Sequence, residues 1–261
     1  MRTGMHRCLA GPAADPVPGR DVSSGTMTKS GASCLKIGTG LYGPDQSGFA
    51  RYLERRERER PDPTARELRR QVLAGLRGRA LEVGCGDGRS FEHYPTSVAR
   101  LVAVEPDPTA RSAAAERARA AAVPIDVVDG IAEALPAEDE SLDAVVSMGV
   151  LCSVPDPGAA LAEVRRVLKP DGELRLWEHV RSSRWPLRLL QRSLDALFWT
   201  HALGGCRTTR DTAAAIAASG FEFVSLERGF HASSPLTITA APYIVGVARH
   251  REAHAGENSS S

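Results

Sequence analysis

The stretch LEVGCGDGRS (81–90) sets Gly84, Gly86 and Gly88 around Cys85 and Asp87, directly after an apolar run. Glycine is costly in entropy, so such a cluster marks either backbone at positive φ or something lying directly against the backbone. Ligands of open parallel sheets sit beyond the carboxyl ends of the strands, where a glycine loop leaves N–H groups bare. A dinucleotide site would continue Gly84-x-Gly86 with a glycine at 89, and that position is Arg89. No G-K-[ST] follows, which excludes a Walker loop. What remains is G-x-G-x-G preceded by Glu82. Glu105 closes the next apolar run, LVAVE. A carboxylate there can accept both hydroxyl protons of a ribose and would repel a 2′-phosphate. The pair of features points to a ligand with an unmodified, adenosine-type ribose. The alternative is a structural turn followed by a strand-terminal glutamate.

Positioning such residues requires strands that end together. The runs ALEV, RLVAVE, IDVVD, LDAVVSM and ELRLWEH are strand-like, and PTARSAAAERARAAA and PGAALAEVRRVL between them are helical. Strands separated by helix-length segments imply crossovers, and hence a mostly parallel sheet with helices on both faces. After the helical RDTAAAIAASG come FEFVSLERGF and LTITAAPYIVGVARH without a helix between them, so an antiparallel hairpin is expected at one edge. The expected fold is therefore α/β and Rossmann-like, with a seven-stranded sheet. Residues 1–40, rich in Gly, Pro, Ser and Ala, read as a disordered tail, with Met27 an alternative start. Residues 41–261 read as one domain. It comprises a helical cap (41–78), a ligand-binding core (79–180), a substrate lid (181–210), and a last helix with terminal strands (211–249). Within the cap, Asp62 and Pro63 suit an N-cap and first helical position, and Leu68, Val72, Leu73 and Leu76 share one face. The run Arg51–Arg60 reads as a solvated helix.

Charge sets further limits. The 33 basic and 32 acidic side chains leave a net charge of +1, which gives no support for a nucleic-acid surface or an anionic membrane as partner. No apolar run approaches the roughly 18 residues of a membrane span. The five cysteines are scattered without a C-x-x-C pair, so neither a disulfide framework nor a metal site is expected, and a reducing cytoplasm is the simplest setting.

From about 41 to 249 the chain resembles a class I S-adenosylmethionine-dependent methyltransferase of the ubiquinone/menaquinone and small-molecule branch. LEVGCGDG is similar to the first motif of that family, VAVEPDP to the acidic second, VVDGIAEALPAEDESLDAVVSMGVLCSV to its adenine loop and fourth strand, and ALAEVRRVLKPDGEL to its helix-turn-strand. The resemblance implies S-adenosylmethionine as cofactor. It places Glu82, Gly84, Cys85, Gly86 and Gly88 at the first motif, with Gly84 and Gly86 beneath the methionine and ribose and Cys85 contributing backbone. Glu105 would bind the ribose and Pro106 would flank the adenine. Ile131 and Ala132 would offer backbone to the adenine edge, and Met148 would line the methionine channel. Many relatives carry an aspartate after the glycine of the third motif. Here Gly130 is followed by Ile131, so that polar contact is missing or moves to Asp129.

Methyl transfer demands alignment, a dry pocket and a nucleophile with a free lone pair. A thiol needs little help from a base, because a few per cent is already thiolate at neutral pH. VLCSV (150–154), EHV (178–180) and LDALFWTHALGGCRTTRDT (194–212) resemble the mammalian alkyl-thiol methyltransferases and their bacterial relatives. A small, apolar thiol acceptor is favoured on that ground. Oxygen, nitrogen or carbon methylation of a lipid-like, quinone-like or natural-product acceptor, and a non-catalytic nucleotide-binding module, are the alternatives. His179, after the fifth strand, is the candidate proton acceptor or substrate orienter, against a histidine bonded to a loop carbonyl. Trp199, His201 and Cys206 are candidates for the acceptor pocket, and Cys152 for packing or lining. PLRLLQRSLDALFW reads as a lid over an apolar acceptor, as core packing, or as a lipid contact supported only by Arg184, Arg188 and Arg192.

Overall fold

Three helices begin at an Asp-Pro pair, and in each the aspartate carboxylate accepts from backbone N–H groups of the first turn. Asp62 caps α1 (Pro63–Leu73), Asp107 caps α2 (Pro108–Ala118) and Asp156 caps α3 (Pro157–Val167). Proline at the first helical position loses no hydrogen bond, since that N–H has no partner in the helix. The computed structural model describes Arg55 and residues 62–199 and 205–251. The expected tail, the rest of the Arg51–Arg60 run and His201 lie outside these residues.

The seven strands are β1 (Gly78–Val83), β2 (Val98–Val104), β3 (Ile125–Val128), β4 (Leu142–Met148), β5 (Leu168–His179), β6 (Phe221–Phe230) and β7 (Pro242–His250), in spatial order β3-β2-β1-β4-β5-β7-β6. The pairs among β1 to β5 are parallel, and β7 runs antiparallel to both β5 and β6. The expected hairpin forms the sheet edge, with its reversed strand as the inner member. The expected last strand from Leu236 starts later, because Pro235–Ala240 is a 3₁₀ turn.

Successive residues of one strand enter opposite cores. Leu81 and Val145 pack with α3 through Leu161 and Val164, whereas Ala80 and Val146 pack with α1 through Val72 and Leu73. Both faces are thus covered, as a parallel sheet requires. The strand order reverses between β1 and β4, so their carboxyl ends open a crevice. No helix among the described residues is long and apolar enough to cross a membrane.

Glu82, expected at the ligand, instead has its carboxyl inside the protein. Ser90 Oγ donates to both of its oxygens at 2.7 and 2.8 Å, and Tyr94 Oη donates at 3.0 Å. It ties β1 to the turn that follows the glycine loop. Burial, opposed by those two hydroxyls, raises its pKa from 4.5 to about 7. An acid whose pKa rises on folding disfavours the folded state once it ionises, so its contribution turns unfavourable as pH rises from 4.5 through about 7. Glu82→Gln is therefore expected to remove this part of the pH dependence. Thermal melts of both proteins across that interval should converge at the acid end, with the variant melting several degrees higher above neutrality.

Candidate active site

The glycines after β1 have unequal surroundings. A side chain at Gly84 would collide with Val150 Cγ2 at 2.7 Å, and one at Gly88 with Phe91 Cε2 at 2.7 Å, so both are glycine because the protein packs against them. Gly86, at φ +57°, has nothing within 4 Å of where a Cβ would stand, and the same holds for Gly149 after β4, at φ +74°. Two bare stretches of backbone therefore face open space at the strand-order reversal. Gly84 contributes close packing rather than an open surface. The backbone of Cys85 is engaged within the loop, its N–H donating to Val104 O and its carbonyl accepting from Gly88 N–H, both at 3.0 Å.

Glu105 stands beneath this loop. One oxygen accepts from Gly86 N–H and the other from Asp107 N–H, each at 2.9 Å. A carboxylate has about four lone-pair positions, so each oxygen keeps one for a further donor. Burial raises its pKa although both N–H groups favour the charge. Arg111 braces the same corner, donating to the carbonyls of Glu105 and Pro106 at 2.7 and 3.0 Å and to Asp129 at 2.9 Å. Asp129, the alternative for the missing polar contact, is thus paired with Arg111. Ile131 is half-buried and bridges to Ala134, Ala132 is buried, and Met148 is half-buried at the end of β4.

A second buried carboxylate shapes the loop after β4. Glu178 has no exposure. It accepts from Ser147 Oγ at 2.7 Å and from the N–H groups of Val150, Leu151 and Cys152 at 3.0–3.1 Å. From the other side Arg210 donates to Leu151 O and Val154 O at 2.6 and 2.9 Å, and Arg207 N–H donates to Cys152 O at 2.9 Å. The loop is clamped between a carboxylate and a guanidinium, neither of which the sequence singled out. No spacing rule joins 178 or 210 to the turn they hold.

These clamps bring together three candidates. His179 Nδ1 lies 3.9 Å from Cys152 Sγ and 3.8 Å from Cys206 Sγ, and the two sulfurs are 3.6 Å apart. No loop carbonyl appears as a partner of His179 among the described residues. Burial opposes a charged imidazole while the Cys152 contact and Glu178 favour it, and its pKa lies above the ordinary value. The Cys206 contact and burial push the Cys152 thiol well above its usual range. Scattered in the sequence, the three potential ligand atoms of Cys152, His179 and Cys206 lie within 4.8 Å of one another in the fold.

The segment after β5 departs from its reading as core. In α4 (Trp185–Leu194) the buried residue is Gln191, which accepts from Ser182 N–H and donates to the carbonyls of Val180 and Thr239. Asp195, opening the π turn Asp195–Trp199, accepts from Thr208 and Thr209. The helix is pinned by polar groups, and Trp185 and Leu197 are 66% and 75% exposed. Trp199 ends the π turn.

Residues 81–176 match the family model described as a methyltransferase domain. The human thiol S-methyltransferase TMT1B is 34% identical over 197 residues, covering 70% of this chain and 77% of that protein. The human thiol S-methyltransferase TMT1A is 33% identical over 187 residues, covering 68% of this chain and 74% of that protein. The chain belongs to the S-adenosylmethionine-dependent methyltransferases. A solved S-adenosylmethionine-dependent methyltransferase from Methanosarcina mazei shares the fold of this methyltransferase at a TM-score of 0.56 and 19% identity, over 74% of this chain and 99% of that one.

The described residues fit that cofactor. The open backbone at Gly86 and Gly149 and the two unspent lone pairs of Glu105 are what an adenosyl sulfonium needs at this position. Glu105→Ala should weaken S-adenosylmethionine binding by about 100-fold or more, the worth of two charge-assisted hydrogen bonds. In the wild-type methyltransferase, calorimetry at decreasing pH should show affinity falling as Glu105 protonates, at a pH above the ordinary carboxylate range because its pKa is raised.

Proposed function

We propose that this methyltransferase methylates the sulfur of a small, apolar thiol. The reading is carried by the likeness, over 197 residues, to a protein named thiol S-methyltransferase, and the chemistry of the site agrees with it. When bound, S-adenosylmethionine supplies an electrophilic methyl group on a positive sulfur. Glu105 would hold the ribose through both oxygens, and the bare backbone at Gly86 would let the cofactor lie against the sheet edge. Pro106, Ile131 and Ala132 would flank the adenine, and Met148 would line the methionine end.

His179 closes β5 on the acceptor side. Its Nδ1 faces two thiols, and the imidazole orients the acceptor or takes its proton. A thiol asks little of such a base, which suits a site whose carboxylates are committed elsewhere: Glu82 to Ser90 and Tyr94, and Glu178 to its loop. The free, buried cysteines Cys85, Cys152 and Cys206 agree with a reducing compartment such as the cytoplasm.

Offered a mixture of alkyl thiols, phenols, amines and quinols with labelled cofactor, the enzyme should methylate the thiols, as read by mass spectrometry of products. Turnover of phenols or quinols alone would move the acceptor to oxygen, and cofactor binding without any product would leave a non-catalytic module. His179→Ala should lower turnover of thiols by at least about 100-fold, with cofactor affinity unchanged.

A further inference from the structure

We propose that Cys152, His179 and Cys206 form a site for a thiophilic cation of the zinc class, whose fourth coordination position takes the acceptor as a thiolate. The second half of this statement rests on the thiol reading above; the first does not.

The argument begins with spacing. A tetrahedral zinc ion bound at about 2.3 Å by sulfur and about 2.0 Å by nitrogen sets its ligand atoms roughly 3.5–3.8 Å apart. The three separations here are 3.6, 3.8 and 3.9 Å. Two of the contacts involve a ring nitrogen facing sulfur, a weak hydrogen-bonding pair that gives little reason by itself to gather three such groups. As a donor set, two thiolates and an imidazole select zinc-like ions over magnesium or calcium, which favour oxygen.

Rigidity is the second point. Each ligand sits on a separately held element: Cys152 on the loop clamped by Glu178 and Arg210, His179 in the β5–β7 ladder opposite Tyr243, and Cys206 beside Arg207, whose N–H bonds Cys152 O. The three side chains are thus held by the elements around them, with no disulfide between the cysteines.

The third point is what is missing. The cluster offers three ligands and, among the described residues, no fourth. The adjacent carboxylate, Glu178, is spent on its four donors. Structural zinc sites close with four protein ligands, and sites that do chemistry keep one position for a reactant. Cys152 and Cys206 are buried while His179 is half-buried, so access is on the imidazole side. With His179 as a ligand that orients the acceptor, so that its Nδ1 no longer takes the proton, a thiol entering there loses its proton to solvent and binds as thiolate. Its sulfur then forms a bond to the methyl carbon as the bond from that carbon to the sulfonium sulfur breaks. The bonding pair stays with the former sulfonium, leaving a neutral thioether there, and the methylated product, a weaker ligand, departs.

The test reads the metal before activity. Full-length protein loaded with zinc and dialysed should retain about one ion per chain by plasma mass spectrometry, and its cobalt form should show thiolate-to-cobalt charge-transfer absorption. Cys206→Ala should bind at least about 100-fold more weakly and lose that absorption, whereas Cys34→Ala should keep both. Calorimetry with S-adenosylmethionine checks that each variant is folded. Equal loss in both variants, no retained ion, or recovery of Cys152 and Cys206 as a disulfide that ignores zinc would overturn the site. Propanethiol should shift the cobalt absorption, and an unchanged spectrum would remove the fourth-position assignment. Full thiol turnover by chelator-stripped enzyme would remove the cation from catalysis and leave the thiol reading standing. Metal binding without turnover of any thiol would do the reverse.

Discussion

A carboxylate taken wholly out of water is costly unless every oxygen is met by donors, and the geometry after β4 follows from that constraint at Glu178. Three consecutive backbone N–H groups, from Val150 to Cys152, and the Ser147 hydroxyl converge on it. A loop that must satisfy a buried charge has little freedom to move. Because Glu178 directly precedes His179, the same strand end that fixes the loop also fixes the imidazole. The relative placement of Cys152 and His179 is therefore a property of one hydrogen-bonded unit.

Glu82 and Glu105 complete a pattern. All three acidic side chains lie at or just beyond the carboxyl ends of parallel strands, yet their tasks differ with their partners. Glu82 accepts from two hydroxyls, and burial pushes it toward neutrality. Glu105 meets two N–H groups and keeps acceptor capacity in reserve. Glu178 is saturated. Of the three, Glu105 is the one bonded to the open backbone of Gly86, which supports the ribose role proposed for it.

Much of this was legible in the chain. The Asp-Pro pairs at 62, 107 and 156 announce helix starts through a purely local mechanism, and the alternation of apolar runs with helical ones fixes a parallel sheet. Glu105 could be read because its position follows from strand spacing. Other features depended on contacts between distant residues. Ser90 and Tyr94 reach Glu82 only after the chain turns, and Cys152, His179 and Cys206 meet across three elements that no sequence interval connects. In α4 the apolar periodicity suggested burial, but Gln191 is the buried side chain, because the neighbouring carbonyls of Val180 and Thr239 need a donor. Periodicity reports which face is apolar, and it does not report which face the rest of the chain leaves room for.

The placement of β7 between β5 and β6 bears on how the protein is made. During synthesis β5 leaves the ribosome with one side bare, and it stays so while the α4 segment, the last helix and β6 follow. Only the strand that comes after all the others can close that gap. Until then the nascent sheet presents an unpaired ladder of N–H and C=O groups, beside the residue that will carry the imidazole. The half-built chain is thus most exposed to pairing with a neighbour in the interval before its final strand arrives.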